Sequence, residues 1–193
     1  MKKLYSFKEA YFIVYNALRS ISVFKKSRDN NFIDLQFVER IMLAVTSVNG
    51  CAMCSYAHTQ MALEAGLSKE EIESYFDKTQ NVSDEEMVGI LYAQHYADTR
   101  CKPTEKSTLN LISHYKEDKA KAIIASIRII TFGNVYGIPL GSFIARFNKQ
   151  SKTPIDPRSN VFYEIFIVLL LPIYLVIGFI HVLISKLLNK SFY

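Results

Sequence analysis

Cys51-Ala52-Met53-Cys54-Ser55-Tyr56-Ala57-His58 is the stretch of this chain whose residue types and spacing could do chemistry. On an α-helix, residues three apart lie about 60° apart around the axis, and residues four apart about 40°, one turn along. Cys51, Cys54 and His58 therefore share one stripe. Asn49-Gly50 is a strong breaker just before them, so the spacing predicts a helix that opens near Cys51, with that thiol in its first turn. Unpaired backbone N–H groups and the helix dipole stabilise a thiolate there. A CxxC pair at a helix N-terminus is thus poised for nucleophilic attack and for reversible disulfide formation.

Glu39 enters by a hairpin argument. An apolar run, Leu35, Phe37, Val38, Ile41, Met42, Leu43, Ala44 and Val45, predicts a helix over about Asp34 to Ser47, with Glu39 inside it. If the chain reverses at Asn49-Gly50, position 39 mirrors position 60, within about a turn of His58. A carboxylate in so apolar a helix needs a partner, and His58 is the obvious one. A Glu–His pair beside a thiol can take its proton and later return one.

The same residues permit other chemistry. Cys51, Cys54 and His58 could hold zinc, with Cys101 or water as the fourth ligand. The pair could also be inert core thiols in a non-catalytic membrane-anchored scaffold. A thioredoxin-like site would need a strand before the motif and a βαβ pattern nearby, and neither is visible. His95 and His114 are isolated histidines, and Cys101 reads as a bystander. Which of the two cysteines attacks is open, since helix geometry alone favours Cys51 for the lower pKa.

The elements that would position these groups are helices. Phe7, Tyr11, Val14, Leu18 and Ile21 mark an amphipathic helix over about 7–24, with Lys25 to Asn31 as a polar loop. The helix from Cys51 should stop at Gly66. Ser68-Lys69-Glu70-Glu71 and Ser83-Asp84-Glu85-Glu86 each fit a capping box, opening helices through Phe76 and about Thr99. Further helices are expected up to Tyr115 and over about Asp118 to Phe132. Gly133, Gly137 and Pro139 suggest a bend before a last segment ending near Phe147. No convincing period-2 strand appears, so the fold class is all-α, a bundle of six to eight helices over 1–150.

Residues 151–160 hold two prolines and read as a linker. Beyond Glu164 no formal charge occurs until Lys186, and Ile165 to Ile184 is twenty almost wholly apolar residues. Such a helix rises about 30 Å, the thickness of a bilayer core, and Pro172 and Gly178 are tolerated in a membrane helix. The segment 161–187 is therefore expected to span a membrane, followed by a short tail to 193; a buried core helix or a hydrophobic oligomer contact is the alternative. Arg146, Lys149, Lys152 and Arg158 before it, against Lys186 and Lys190 after it, favour a cytoplasmic main domain. The net charge of +5 at pH 7 is concentrated near the N-terminus. With a membrane segment present and nothing resembling a nucleic-acid module, that charge favours an anionic membrane over nucleic acid, and a plain solvated basic face fits it equally well. Three cysteines do not make a secreted disulfide scaffold, and no signal peptide is evident.

Glu39, eleven residues, Cys51, two residues, Cys54, three residues, His58 resembles the signature of AhpD-like alkylhydroperoxidases, within the carboxymuconolactone decarboxylase superfamily. The similarity extends over about Phe37 to Tyr75, through Glu39-Arg40, Asn49-Gly50-Cys51 and Ala65-Gly66-Leu67-Ser68. The resemblance implies an AhpD-like helical bundle that assembles as a trimer or hexamer. It implies thiol-dependent reduction of a hydroperoxide, or disulfide exchange, without a cofactor or metal. Cys54 would be the attacking thiolate, Cys51 the resolving thiol, and His58 and Glu39 the proton relay. A dithiol or a thioredoxin-like protein would restore the pair, and a peroxiredoxin is a possible partner. Two departures stand out: Met53 occupies the place of a relay histidine, and the C-terminal apolar segment lies outside the common fold. Lactone decarboxylation, the superfamily's lyase chemistry, needs no CxxC pair.

Overall fold

A computed structural model describes residues 3–77, 82–148 and 150–193. Lys149, in the basic run noted above, and Lys2, in the basic N-terminal stretch, lie outside them. The described residues form seven α-helices and no strand: α1 (Phe7–Asp29), α2 (Leu35–Asn49), α3 (Ala52–Glu64), α4 (Lys69–Asp77), α5 (Asp84–Asp98), α6 (Glu105–Phe147) and α7 (Val161–Leu187).

Local chemistry explains most boundaries. Ser6 and Glu9 form a reciprocal capping box on α1, the Ser6 amide donating to Glu9 Oε2 at 2.7 Å. The helix does not stop near Phe24. It continues to Asp29 through the segment expected to be a loop, because Phe24 packs on the core and Ser27 is buried. Lys26 and Arg28 occupy the last turn, where the dipole favours cations. Asp34 caps α2 by accepting from the Phe37 amide at 2.7 Å, and Gly50 ends it at φ +70°. The Ser68–Glu71 box forms on α4. The expected box at Ser83 does not, since its side chain caps no amide, although α5 still opens there.

Gly133, Gly137 and Pro139 do not interrupt the helix. α6 runs through all three, and its only non-helical residue is Lys116, at φ 63°, between the two helices expected to end at Tyr115 and begin near Asp118. Proline removes one helical hydrogen bond, but the turn around it is held by burial: Val135, Tyr136, Ile138 and Pro139 are all buried.

α2 is the centre of the bundle. Phe37, Ile41 and Leu43 are almost completely buried, and α3, α4, α5 and α6 all pack on it. α1 lies against α6 and α7 and closes a second, smaller apolar cluster built on Ile13, Val14, Val135 and Ile167. The 151–160 segment is no free tether. The Asp156 amide donates to Ser142 Oγ at 3.0 Å, and Arg158 Nη2 donates to the carbonyls of Asn49 and Gly50 at 2.9 and 3.2 Å. α7 is long and apolar enough to be a candidate membrane span, and it is mostly exposed.

Candidate active site

The site is built where α2 turns into α3. Cys51 is the N-cap of α3 rather than a residue of its first turn, and its sulfur accepts from the Cys54 amide at 3.2 Å. Cys51 and Cys54 are joined as a disulfide, with Cα atoms 5.2 Å apart. Cys51 is completely buried, whereas Cys54 keeps 8% exposure. The Cys54 sulfur lies 3.5 Å from the Gly133 carbonyl oxygen of α6, an acceptor for its S–H in the reduced state.

One turn along α3, His58 Nδ1 meets Glu39 Oε2 of α2 at 2.8 Å. Glu39 is 1% exposed. The turn thus brings Glu39, Cys51, Cys54 and His58 into one neighbourhood, with the two helices antiparallel across Gly50. With its Nδ1 facing Glu39, the ring leaves Nε2 for exchange with a substrate atom. Among the described residues no three His, Cys, Asp or Glu side chains converge so as to hold a metal ion.

Glu39 and His58 line a cavity of about 600 Å³ between the end of α1, α2, α3 and α6. Its other walls are mainly apolar, including Ile33, Leu35, Val38, Met42, Met61, Ile130 and Phe132, with Arg28 and Asn31 as further polar members. Gly133, whose carbonyl meets Cys54, also lines it, whereas neither cysteine does. Apolar walls around a few convergent polar groups are the usual character of a small-molecule site.

Three supports escaped the sequence reading. Gly137 faces both sulfurs: a Cβ there would stand 2.6 Å from Cys54 Sγ and 2.9 Å from Cys51 Sγ. A buried polar network holds the end of α2. Asn49 Nδ2 donates to Asn134 Oδ1 at 2.9 Å, Asn134 Nδ2 donates to Thr46 Oγ1 at 3.1 Å, and Tyr5 donates to Asn49 Oδ1 at 3.2 Å. Arg158 completes the carbonyls of the Asn49-Gly50 turn. Glycine and asparagine in a helix carry no signal that distinguishes such contacts from a breaker. Cys101 is a free thiol away from the pair, pushed up to about 12 mainly by burial. His95 and His114 also lie apart, His95 accepting from the Thr104 amide and His114 edge-on to Tyr115.

The sequence model of the Carboxymuconolactone decarboxylase family matches residues 17–78. That span contains Glu39, Cys51, Cys54 and His58. The matched region is similar to that family, which lies within the AhpD-like superfamily of alkylhydroperoxidases and decarboxylases. No curated protein and no solved structure matches the chain.

Proposed function

We propose that the protein is a thiol-dependent peroxidase of the AhpD type, with disulfide exchange as its simpler activity. The observation that carries this reading is the Cys51–Cys54 pair one helical turn from the Glu39–His58 hydrogen bond. In the reduced state the Cys54 thiolate attacks the terminal oxygen of a hydroperoxide. The O–O bond breaks, Cys54 becomes a sulfenic acid, and the leaving alkoxide takes a proton from His58. Cys51 then attacks the Cys54 sulfur, the disulfide forms, and water leaves with the sulfenic oxygen and two protons, one of them from the Cys51 thiol. A dithiol or thioredoxin-like reductant gives two electrons and two protons to reopen the pair, with a peroxiredoxin as a possible further partner.

The division of roles follows exposure. Cys54 is the less buried residue of the two and touches Gly133, which lines the cavity. Cys51, capping α3, accepts an amide hydrogen bond that steadies its thiolate, whether as resolving nucleophile or as leaving group. The apolar cavity suits an organic hydroperoxide rather than a small polar one. Met53 moves no protons, so turnover rests on His58 and Glu39 alone. A lyase reading leaves the cysteine pair without a role, and among the described residues no three His, Cys, Asp or Glu side chains converge to hold zinc. We further propose a homo-oligomer, a trimer or hexamer, held at a membrane with its main domain in the cytoplasm.

The test is a thiol count on reduced protein before and after one equivalent of cumene hydroperoxide. Rapid loss of two thiols in wild type, with a sulfenic acid trapped on Cys54 in Cys51→Ser, is expected. Unreactive thiols towards both hydroperoxide and a small disulfide would overturn the reading.

A further inference from the structure

The twenty-residue apolar stretch of α7 fits a span by length, yet its packing does not fit one. The helix lies along α1 for most of its course. At its start Tyr163 donates to the Tyr5 carbonyl at 2.8 Å, and buried Glu164 pairs with Arg146 of α6 at 3.0 Å. At its middle Tyr174 donates to the Phe7 carbonyl at 3.1 Å, and Gly178 lets Leu18 approach. Near its end His181 Nδ1 meets the Tyr11 hydroxyl at 3.0 Å, and Ser185 meets Tyr15 at 2.6 Å. The tail then returns to the same domain: Arg19 binds the carbonyls of Lys190 and Ser191, and Arg128 of α6 donates to the Phe192 carbonyl at 2.9 Å.

A helix standing across a bilayer cannot keep these contacts. α1 would have to enter the hydrocarbon beside it, with the Glu9–Arg100 pair. Charges at that depth are costly. Detaching α7 instead would leave His181, inside the apolar stretch, without its Tyr11 partner. All polar side chains between Tyr163 and Ser185 turn to the protein. Phe166, Leu169, Ile173, Val176, Phe179 and Ile180 on the other side are each at least half exposed, with no charge among them. An apolar surface of this extent needs a cover.

We infer that α7 lies in the plane of a membrane, buried along its outer side in the hydrocarbon boundary, with both its ends and the whole domain on one face of the bilayer. The occupant of the exposed face is lipid acyl chain. The flanking Lys186 and Lys190 are exposed and suit an anionic surface. This inference is independent of the redox chemistry.

The experiment uses the full chain with a protease-cleavable tag at each end, in sealed membrane vesicles. Protease added from one side should release both tags equally. Release of only one tag until detergent opens the vesicles would establish a span and overturn the inference. In parallel, Leu169→Glu/Ile173→Glu/Val176→Glu should fold, by circular dichroism, and lose at least tenfold of its partition into phosphatidylcholine/phosphatidylglycerol vesicles. Unchanged partition, or a wild-type oligomer that this variant dissolves in the absence of lipid, would overturn it too. The second result would show that another copy of the chain covers the face.

Discussion

Gly137 stands against Cys54 so closely that a methyl group on its Cα would lie 2.6 Å from the sulfur. This contact lets α6 press on the N-terminus of α3 and hold both sulfurs between them. Gly133, one turn earlier, has room for a methyl group, which would meet Ile130 at an ordinary contact distance of 3.8 Å. The two positions give a matched test. In a helix interior glycine to alanine normally stabilises by about 0.5–1 kcal/mol. Gly133→Ala should follow that rule. Gly137→Ala should reverse it and destabilise by about 1–3 kcal/mol, because packed neighbours must move. Urea denaturation of both variants, oxidised and reduced, checks this, with altered thiol reactivity confined to Gly137→Ala.

The 2.8 Å bond between Glu39 and His58 makes a second prediction. Glu39→Gln keeps the shape and a hydrogen bond but removes the charge that steadies a protonated imidazole. Hydroperoxide-dependent thiol loss should fall by about 10²-fold or more, the usual scale of positioned acid–base groups. His58→Ala should lose a similar amount, and the double variant little beyond either, since the two act as one unit. Additive losses would show that they work separately.

How much of this was legible in the sequence depends on the kind of signal. Caps, breakers and apolar periodicity are local, so the hairpin about Gly50, the stop at Gly66 and the all-α class could be read before any coordinates. The Glu39–His58 juxtaposition followed from counting outward from one turn. Three features were not local. The extension of α1 to Asp29 is fixed by Phe24 docking on a distant core. The continuity of α6 past Pro139 is fixed by tertiary packing that overrides a breaker. Arg158, in a stretch that reads as a linker, finds its acceptors over a hundred positions earlier in the chain.

Asn134 gives a third prediction. It accepts from Asn49 and donates to Thr46, all inside the protein. Removing one member leaves buried donors and acceptors unpaired, at about 1–3 kcal/mol. Asn134→Ala should therefore lower the denaturation midpoint. It should also loosen the Asn49-Gly50 turn, read as faster amide exchange at Gly50 and Cys51. Asn134→Asp should not rescue it, because it puts a carboxylate with no cation beside it in a fully buried site.

Cys101 should be silent. Burial pushes its thiol up to about 12, so at pH 8 only about one molecule in 10⁴ carries the thiolate. Iodoacetamide at pH 8 should alkylate Cys54 of the reduced protein while sparing Cys101, as peptide mass spectrometry would show. Cys101→Ala should leave the rate of hydroperoxide-dependent thiol loss unchanged.

Glu9 sets the acid limit of the α1 attachment. Arg100 Nε and Nη2 each donate to one of its oxygens at 2.8 Å, while the same guanidinium donates to the carbonyls of Lys3 and Leu4. The Arg100 hydrogen bonds, with those from Ser6, hold the carboxyl down at about 2, against an ordinary value of 4.5. A carboxyl lowered by folding contributes stability above its unfolded value and loses it as pH falls through the folded one. The contribution is therefore complete above 4.5 and gone below about 2. The pair is partly exposed, so its size is about 1 kcal/mol or less. Wild type should melt above Glu9→Gln at pH 6, and the gap should narrow between pH 4.5 and pH 2 until the two coincide. A gap that stays constant with pH would assign the effect to the Ser6 cap geometry rather than to the charge. Because Arg100 also ties down the strand of chain leading into α1, the same acid range should release α1 first. Tyr11 and Tyr15, which hold His181 and Ser185 of α7, would then gain exposure before the α2–α3 hairpin around the cysteine pair does.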